Sequence, residues 1–262
     1  MAHVVAVANQ KGGVGKTTTT INLAASLALA DRRVLLVDVD PQSNLTSGVG
    51  QRGKASPAGT IYQALTTPLA NLDCRKFIVS TAVDRMQLVP ADRDLTGAEI
   101  ELVTLDRREE RLRILLNTVR DEYDYILIDC PPSLGLLTLN ALVAANAVLI
   151  PLHCEYFALE GLADLVGTMR RVRAALNPSL DIEGVLLTMF DERTNLGQQV
   201  ARDVRQFFKE KVFRTVIPRN VRLGEAPSHG MPVILYDVKS RGAEAYLALA
   251  REVLERSTPT AA

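Results

Sequence analysis

Residues Lys11-Gly12-Gly13-Val14-Gly15-Lys16-Thr17 put two lysines and three glycines into one short turn. The turn follows an apolar run, Val4-Val5-Ala6-Val7-Ala8, and opens a helix-like run from Lys16 to Ala30. A glycine-rich turn between strand and helix presents backbone N–H groups at the positive end of a helix dipole, which suits a phosphate. In that arrangement Lys16 reaches the β- and γ-phosphates and the Thr17 hydroxyl binds Mg²⁺. The usual phosphate-loop pattern has a further glycine five residues before Gly15; here that position is Gln10, and Lys11 brings an extra charge. Two cations at one anion site imply that one serves phosphates elsewhere, for instance on a second subunit.

Companion residues turn this loop into a site. An apolar run ends at Asp38-Val39-Asp40-Pro41-Gln42, and strand alternation puts Asp38 and Asp40 on one side at its carboxyl end, where α/β sheets bind ligands. Two acids beside a phosphate suit a Mg²⁺ shell and a group that orients an attacking water. The plainer alternative is that they end a strand and cap a turn. A second run, Tyr125-Ile126-Leu127-Ile128, leads into Asp129-Cys130-Pro131-Pro132, the Walker-B arrangement in which the acid holds Mg²⁺ directly or through water. Three strand ends converging on one ion indicate a nucleoside triphosphate site, with Thr17, Asp38 and Asp129 around the metal.

The elements that must position these residues alternate. Short β-branched runs at His3–Ala8, Val34–Asp38, Met86–Pro90, Tyr125–Asp129, Ala147–Pro151, Glu183–Met189 and Val212–Ile217 are separated by helical ones. The pattern predicts a doubly wound α/β fold, a mostly parallel sheet with helices on both faces. A helix over Ala158–Leu176 carries an apolar stripe that includes Leu162, Leu165, Met169 and Val172. Thr46–Thr60, rich in Gly, Ser and Ala, reads as a mobile surface loop, and Asp106–Arg113 as a solvated helix face. No linker divides residues 1–262, which predicts a single ATPase domain with a frayed tail after about Arg256.

Composition narrows the class. Lys+Arg and Asp+Glu both number 30, so nucleic-acid binding would need a local patch rather than overall charge. No apolar stretch approaches the roughly 20 residues that span a bilayer, and the amino terminus lacks a basic segment and signal core. Cys74, Cys130 and Cys154 form no CxxC and read as buried residues of a reducing cytoplasm; His3, His153 and His229 are scattered.

The chain resembles the ParA/Soj family of DNA-partitioning ATPases, within the deviant Walker-A class that includes MinD. The resemblance is carried by Asn9–Thr18, Val37–Gln42, Ile128–Ser133, Glu155–Gly161, Val216–Leu223 and Glu225–Gly230, and extends from Val4 to about Leu254. It implies an ATP-sandwich homodimer in which Lys11 crosses to the partner's ATP, Lys16 holds its own and Asp40 positions the water. It also implies that Gly12, Gly13, Val14, Gly15 and Thr18 join the phosphate cradle, that Pro218 and Asn220 lie against adenine, and that a ParB/Spo0J-type protein is the partner.

From Arg193 to Arg222 there are eight basic residues against Asp203 and Glu210, a net of +6 in a neutral chain. A basic face supplies affinity for the DNA backbone without reading sequence, although a solvated helix would look similar. The resemblance assigns non-specific DNA binding to Arg193 and Arg222, with Arg219 beside them, and implies a cytoplasmic, nucleoid-associated protein. A MinD-like membrane-surface ATPase would need an amphipathic basic helix at the end, where Arg251–Pro259 is short and acid-containing. An iron–sulfur ATPase of the same fold would need cysteines that bridge a dimer.

Overall fold

A computed structural model describes residues 1–155 and 158–257. Tyr156 and Phe157 of the family motif, and the frayed tail expected from the sequence beyond Ser257, lie outside the described residues. Apolar runs that bury both faces pair side by side because each strand's polar backbone groups must find partners. Among the described residues the strands are β1 (His3–Val7), β2 (Val34–Asp38), β3 (Val79–Ser80), β4 (Met86–Val89), β5 (Tyr125–Asp129), β6 (Ala147–His153) and β7 (Asp181–Thr188). They form one sheet in the order β3-β4-β2-β5-β1-β6-β7. All neighbours run parallel except β3, which is antiparallel to β4.

The helices are α1 (Lys16–Leu29), α2 (Asn44–Gly48), α3 (Ile61–Thr66), α4 (Leu95–Glu101), α5 (Arg111–Asn117), α6 (Leu136–Ala144), α7 (Ala158–Ala175), α8 (Asn195–Phe208), α9 (Val221–Glu225), α10 (Val233–Tyr236) and α11 (Arg241–Ser257). Alternation along β1 divides the core. Val4 and Ala6 pack under α5, α6, α7 and α8 with Leu115, Leu142, Leu165 and Val204. Val5 and Val7 face α1 and α11 with Ile21, Leu27, Leu249 and Val253. Register sets the site: Val7 and Asp38 both lie opposite Asp129, so β1, β2 and β5 end at one level.

Three sequence expectations are corrected. Val212–Ile217 is not a strand. It touches β7 by the bridge Val185–Val212, with a second bridge, Phe190–Pro218, just past both segments, and the buried Glu252 carboxylate accepts from the Arg214 and Thr215 N–H groups at 2.8 and 3.0 Å. Phe213 still seats closely there, because a Cβ on Gly184 would stand 2.4 Å from its ring. The expected surface loop at Thr46–Thr60 begins inside α2, with Thr46 only 2% exposed, because Asp38 draws it inward. The expected solvated face at Asp106–Arg113 contains Arg111, which is buried and donates to the carbonyls of Leu65, Thr67 and Asp106.

Candidate nucleotide-binding site

Gly13 and Gly15 take left-handed conformations, φ +72° and +87°, which a side chain would strain. The loop then enters α1, whose first residues include four consecutive threonines, poor helix formers. Their hydroxyls have other work. Thr17 Oγ1 donates to Asp129 Oδ2 at 2.7 Å, and Thr20 Oγ1 lies 3.0 Å from the Lys16 carbonyl and 3.1 Å from Asp129 Oδ1. Thr19 Oγ1 and the Tyr246 hydroxyl are 3.1 Å apart, which ties α1 to α11.

The other side of the loop is fastened too. Thr188 Oγ1, at the end of β7, donates to the Val14 carbonyl at 2.8 Å. Buried Asn9 donates to the Pro151 carbonyl at 2.7 Å and accepts from Lys11 N at 3.0 Å. Sequence reasoning assigned Thr188 no role; its only signal is a polar residue at the carboxyl end of an apolar strand.

The lysines of the loop go different ways. Lys16 is buried, its amine 3.1 Å from the Lys11 carbonyl, and desolvation lowers its pKa against the pull of Asp129 and Asp40. Lys11 instead pairs with Glu155 just after β6, and Glu155 also meets His153 Nδ1 at 2.8 Å. The Lys11 hydrogen bond lowers the Glu155 pKa, and burial lowers that of His153.

Asp129 and Asp38 are both fully buried, and burial pushes both carboxyls above the usual range. Their mutual repulsion adds to the shift at Asp129. Asp129 faces Thr17 as expected. Asp38 does not: its Oδ1 accepts from Asp40 N at 3.2 Å, and its Oδ2 from Thr46 N and Oγ1 at 2.9 and 2.7 Å. A carboxylate without solvent takes whatever donors it has, and the loop after β2 supplies them, so the geometry does not fit Asp38 as a direct metal ligand. Asp40 is 7% exposed and accepts from Gln42 N at 2.9 Å.

A cleft of about 450 Å³ gathers Gly12, Gly13, Gly15, Lys16, Thr17, Thr18 and Asp40 with Pro132, Met189, Pro218 and Asn220. The far-separated Pro218 and Asn220 therefore join the loop, and Met189 joins them at a left-handed φ of +47°. Asn220 Oδ1 caps α9 by accepting from Arg222 N at 2.9 Å. The open side at Gly12 and Gly13, where a Cβ would meet nothing within 4 Å, and the hard oxygens of Thr17 and Asp129 fit a magnesium nucleotide.

The basic stretch does not form one face, because the chain from Val212 to Pro218 runs along β7 and spreads its charges. Lys211 and Arg214 pair with Asp181 and Glu255, at 2.9 and 2.7 Å, in a larger cleft of about 1280 Å³ at the sheet's amino end. That cleft's charges are mostly paired with one another. Arg193 and Arg219 line another cleft with Arg241. Arg193 is 89% exposed and paired to Asp191 at 2.7 Å. Arg222 stands apart, 2.7 Å from Glu225 and 3.3 Å from Asp237.

A family model described as AAA domain matches residues 2–182. Over 259 residues the chain is 58% identical to the chromosome partitioning protein ParA of Myxococcus xanthus, covering 99% of this chain and 90% of that protein. It is 57% identical to the sporulation initiation inhibitor protein Soj of Bacillus subtilis, over 97% of this chain and 98% of that one. The chain belongs to the ParA/Soj family of chromosome-partitioning ATPases. This ParA/Soj-family chain also matches the crystal structure of cobyrinic acid a,c-diamide synthase from Mycobacterium smegmatis with bound ATP analogue and magnesium. The TM-score is 0.83 at 38% identity, covering 98% of this chain and 96% of that one. All three cysteines are buried, and among the described residues no helix is long and apolar enough to cross a membrane.

Proposed function

We propose that this ATPase is a switch for DNA segregation, in which two copies close on two ATP molecules and hold DNA without regard to sequence until hydrolysis releases them. The observation that carries the reading is the divergence of the two lysines. Lys16 is buried in its own cleft, whereas Lys11 points to Glu155 outside it. A cation held outside its own cleft is available to the phosphates of a facing copy, so pairing reports the nucleotide.

In this mechanism the loop from Gly12 to Thr18 and Lys16 bind the phosphates, and the magnesium nucleotide of the Mycobacterium smegmatis relative supports ATP and Mg²⁺ as ligands here. Thr17, braced by Asp129, would hold Mg²⁺, which when bound offsets charge on the phosphates. Asp38 acts one step back, through the Asp40 loop. Asp40 orients a water in line with the γ-phosphate; attack releases ADP and phosphate, while Lys11 and Lys16 stabilise charge on the phosphoryl oxygens. Pro218 and Asn220 take the base. Arg193, Arg219 and Arg222 meet DNA phosphates, and pairing doubles their number. A ParB/Spo0J-type protein would speed turnover, and the chain would act on the nucleoid in the cytoplasm. The membrane-surface alternative is less well supported, since Tyr246, Leu249 and Val253 of α11 are buried against the core.

Sizing by light scattering with ADP, with ATP, and with ATP and DNA tests the reading. Wild type should pair only with ATP, Asp40→Ala should accumulate as a stable pair on DNA, and Lys11→Ala should stay single. A Lys11→Ala chain that pairs with ATP as wild type does would overturn it.

A further inference from the structure

Asp40 sits on a turn closed within itself by Ser43 N, which donates to the Asp40 carbonyl at 2.8 Å, and by Gln42 N, which donates to its carboxylate. Pro41 follows it, and Ser43 takes a left-handed φ of +51° that costs a non-glycine residue energy. One tie from this turn to a neighbouring strand end is backbone: Val39 N donates to the Asp129 carbonyl at 3.1 Å. The other runs through Thr46, only 2% exposed, whose N–H and hydroxyl both donate to Asp38 Oδ2. The same hydroxyl accepts from Ala91 N, just after β4, at 2.9 Å. Asp38 completes the ring by accepting from the Asp40 amide.

We propose that Thr46 is a positioning residue for hydrolysis, locking the Asp40 turn to the neighbouring strand ends of β2 and β4. The inference rests on the reading of Asp40 as the group that orients water. The chemistry demands a hydroxyl: the site requires one atom that donates to a carboxylate and accepts from an amide together. Valine has the shape and neither capacity, and would leave the Ala91 N–H and part of the Asp38 carboxylate without partners. Serine keeps both. Because Thr46 does not line the nucleotide cleft, its loss should spare ATP binding and disturb only the placement of Asp40.

The experiment compares wild type, Thr46→Val, Thr46→Ala, Thr46→Ser and Asp40→Ala. Thr46→Val should lower kcat about 10- to 100-fold, the scale of a small misplacement, with KM for ATP changed less than about threefold. In the nucleotide-free protein, hydrogen exchange at the Ala91 amide should quicken in the same variant. Thr46→Ser should restore kcat and slow exchange, and Thr46→Ala should show the same loss of kcat as expected for Thr46→Val and takes its place if valine prevents folding. Turnover within about twofold of wild type in the hydroxyl-less variants, beside an inactive Asp40→Ala, would overturn the role of Thr46 alone. Active Asp40→Ala would overturn the reading of Asp40 and this inference with it. Unrescued Thr46→Ser would show that packing, not the hydroxyl, holds the turn.

Discussion

If two copies hold DNA as proposed, removing the Arg222 guanidinium takes one cation from each copy, and so two from the pair. In the free chain this guanidinium is 2.7 Å from Glu225 and 3.3 Å from Asp237, half-exposed, so DNA phosphate competes with two carboxylates for it. Each neutralised phosphate contributes ~0.9 to the slope of log affinity against log salt, so two contribute ~1.8. Across a rise from about 50 to about 200 mM salt, those two contacts account for roughly a 12-fold change in affinity. Fluorescence anisotropy of a labelled duplex of arbitrary sequence, with ATP and in the Asp40→Ala background to prevent turnover, reads this directly. Arg222→Ala should flatten the slope by that amount on every duplex tested. Glu225→Gln should act in the opposite direction, tightening binding at low salt by removing a competitor. An unchanged slope in Arg222→Ala, while pairing with ATP stays normal, would refute the reasoning. So would weaker binding in Glu225→Gln.

Replacing Arg111 with Met should cost about 2–4 kcal/mol in urea unfolding, because the buried Leu65 carbonyl and the half-buried Thr67 carbonyl lose their donor; a loss under about 1 kcal/mol would count against it. Burial alone would raise the Glu252 pKa, yet the Arg214 and Thr215 N–H groups, with Arg256, hold it below the usual range. Its stabilisation is therefore complete above the unfolded value, about pH 4.3, and fades as pH falls through the lower folded value, so wild type and Glu252→Gln should converge in acid melting curves. Lys16→Ala should abolish ATP binding by calorimetry, whereas Lys11→Ala should bind ATP as a monomer nearly as wild type does.

The loop and its two acid-bearing strand ends were legible because continuous apolar runs stop abruptly at charged residues. β2 and β5 appear with the bounds the sequence implies, and β1 and β6 within two residues of them. What escaped depends on contacts distant in the chain. Nothing near Val212–Ile217 says that Glu252 will take its N–H groups, and nothing near Arg111 says that carbonyls from Leu65 and Thr67 will surround it. Asp38 misled in the same way: strand alternation places it beside Asp40, but only the fold reveals that Thr46 occupies its oxygens. The cationic stretch failed as a face because charge counted along a chain ignores where the backbone turns.

The irregular path of residues 212–218 also bears on how copies of the chain avoid one another. β7 is an outer strand of eight residues with an apolar run at Val185–Leu187, the sort of edge that invites a foreign strand. The passing segment takes the outward carbonyls of Val185 and Leu187 through Phe213 N and Ile217 N, at 3.0 and 2.8 Å, yet never becomes a strand that would offer a new edge. At the opposite border β3 is only two residues long. Both borders of the sheet are thus poor templates for strand addition, which disfavours fibre-like stacking of one chain on the next and leaves the loop-bearing surface for the pairing proposed above.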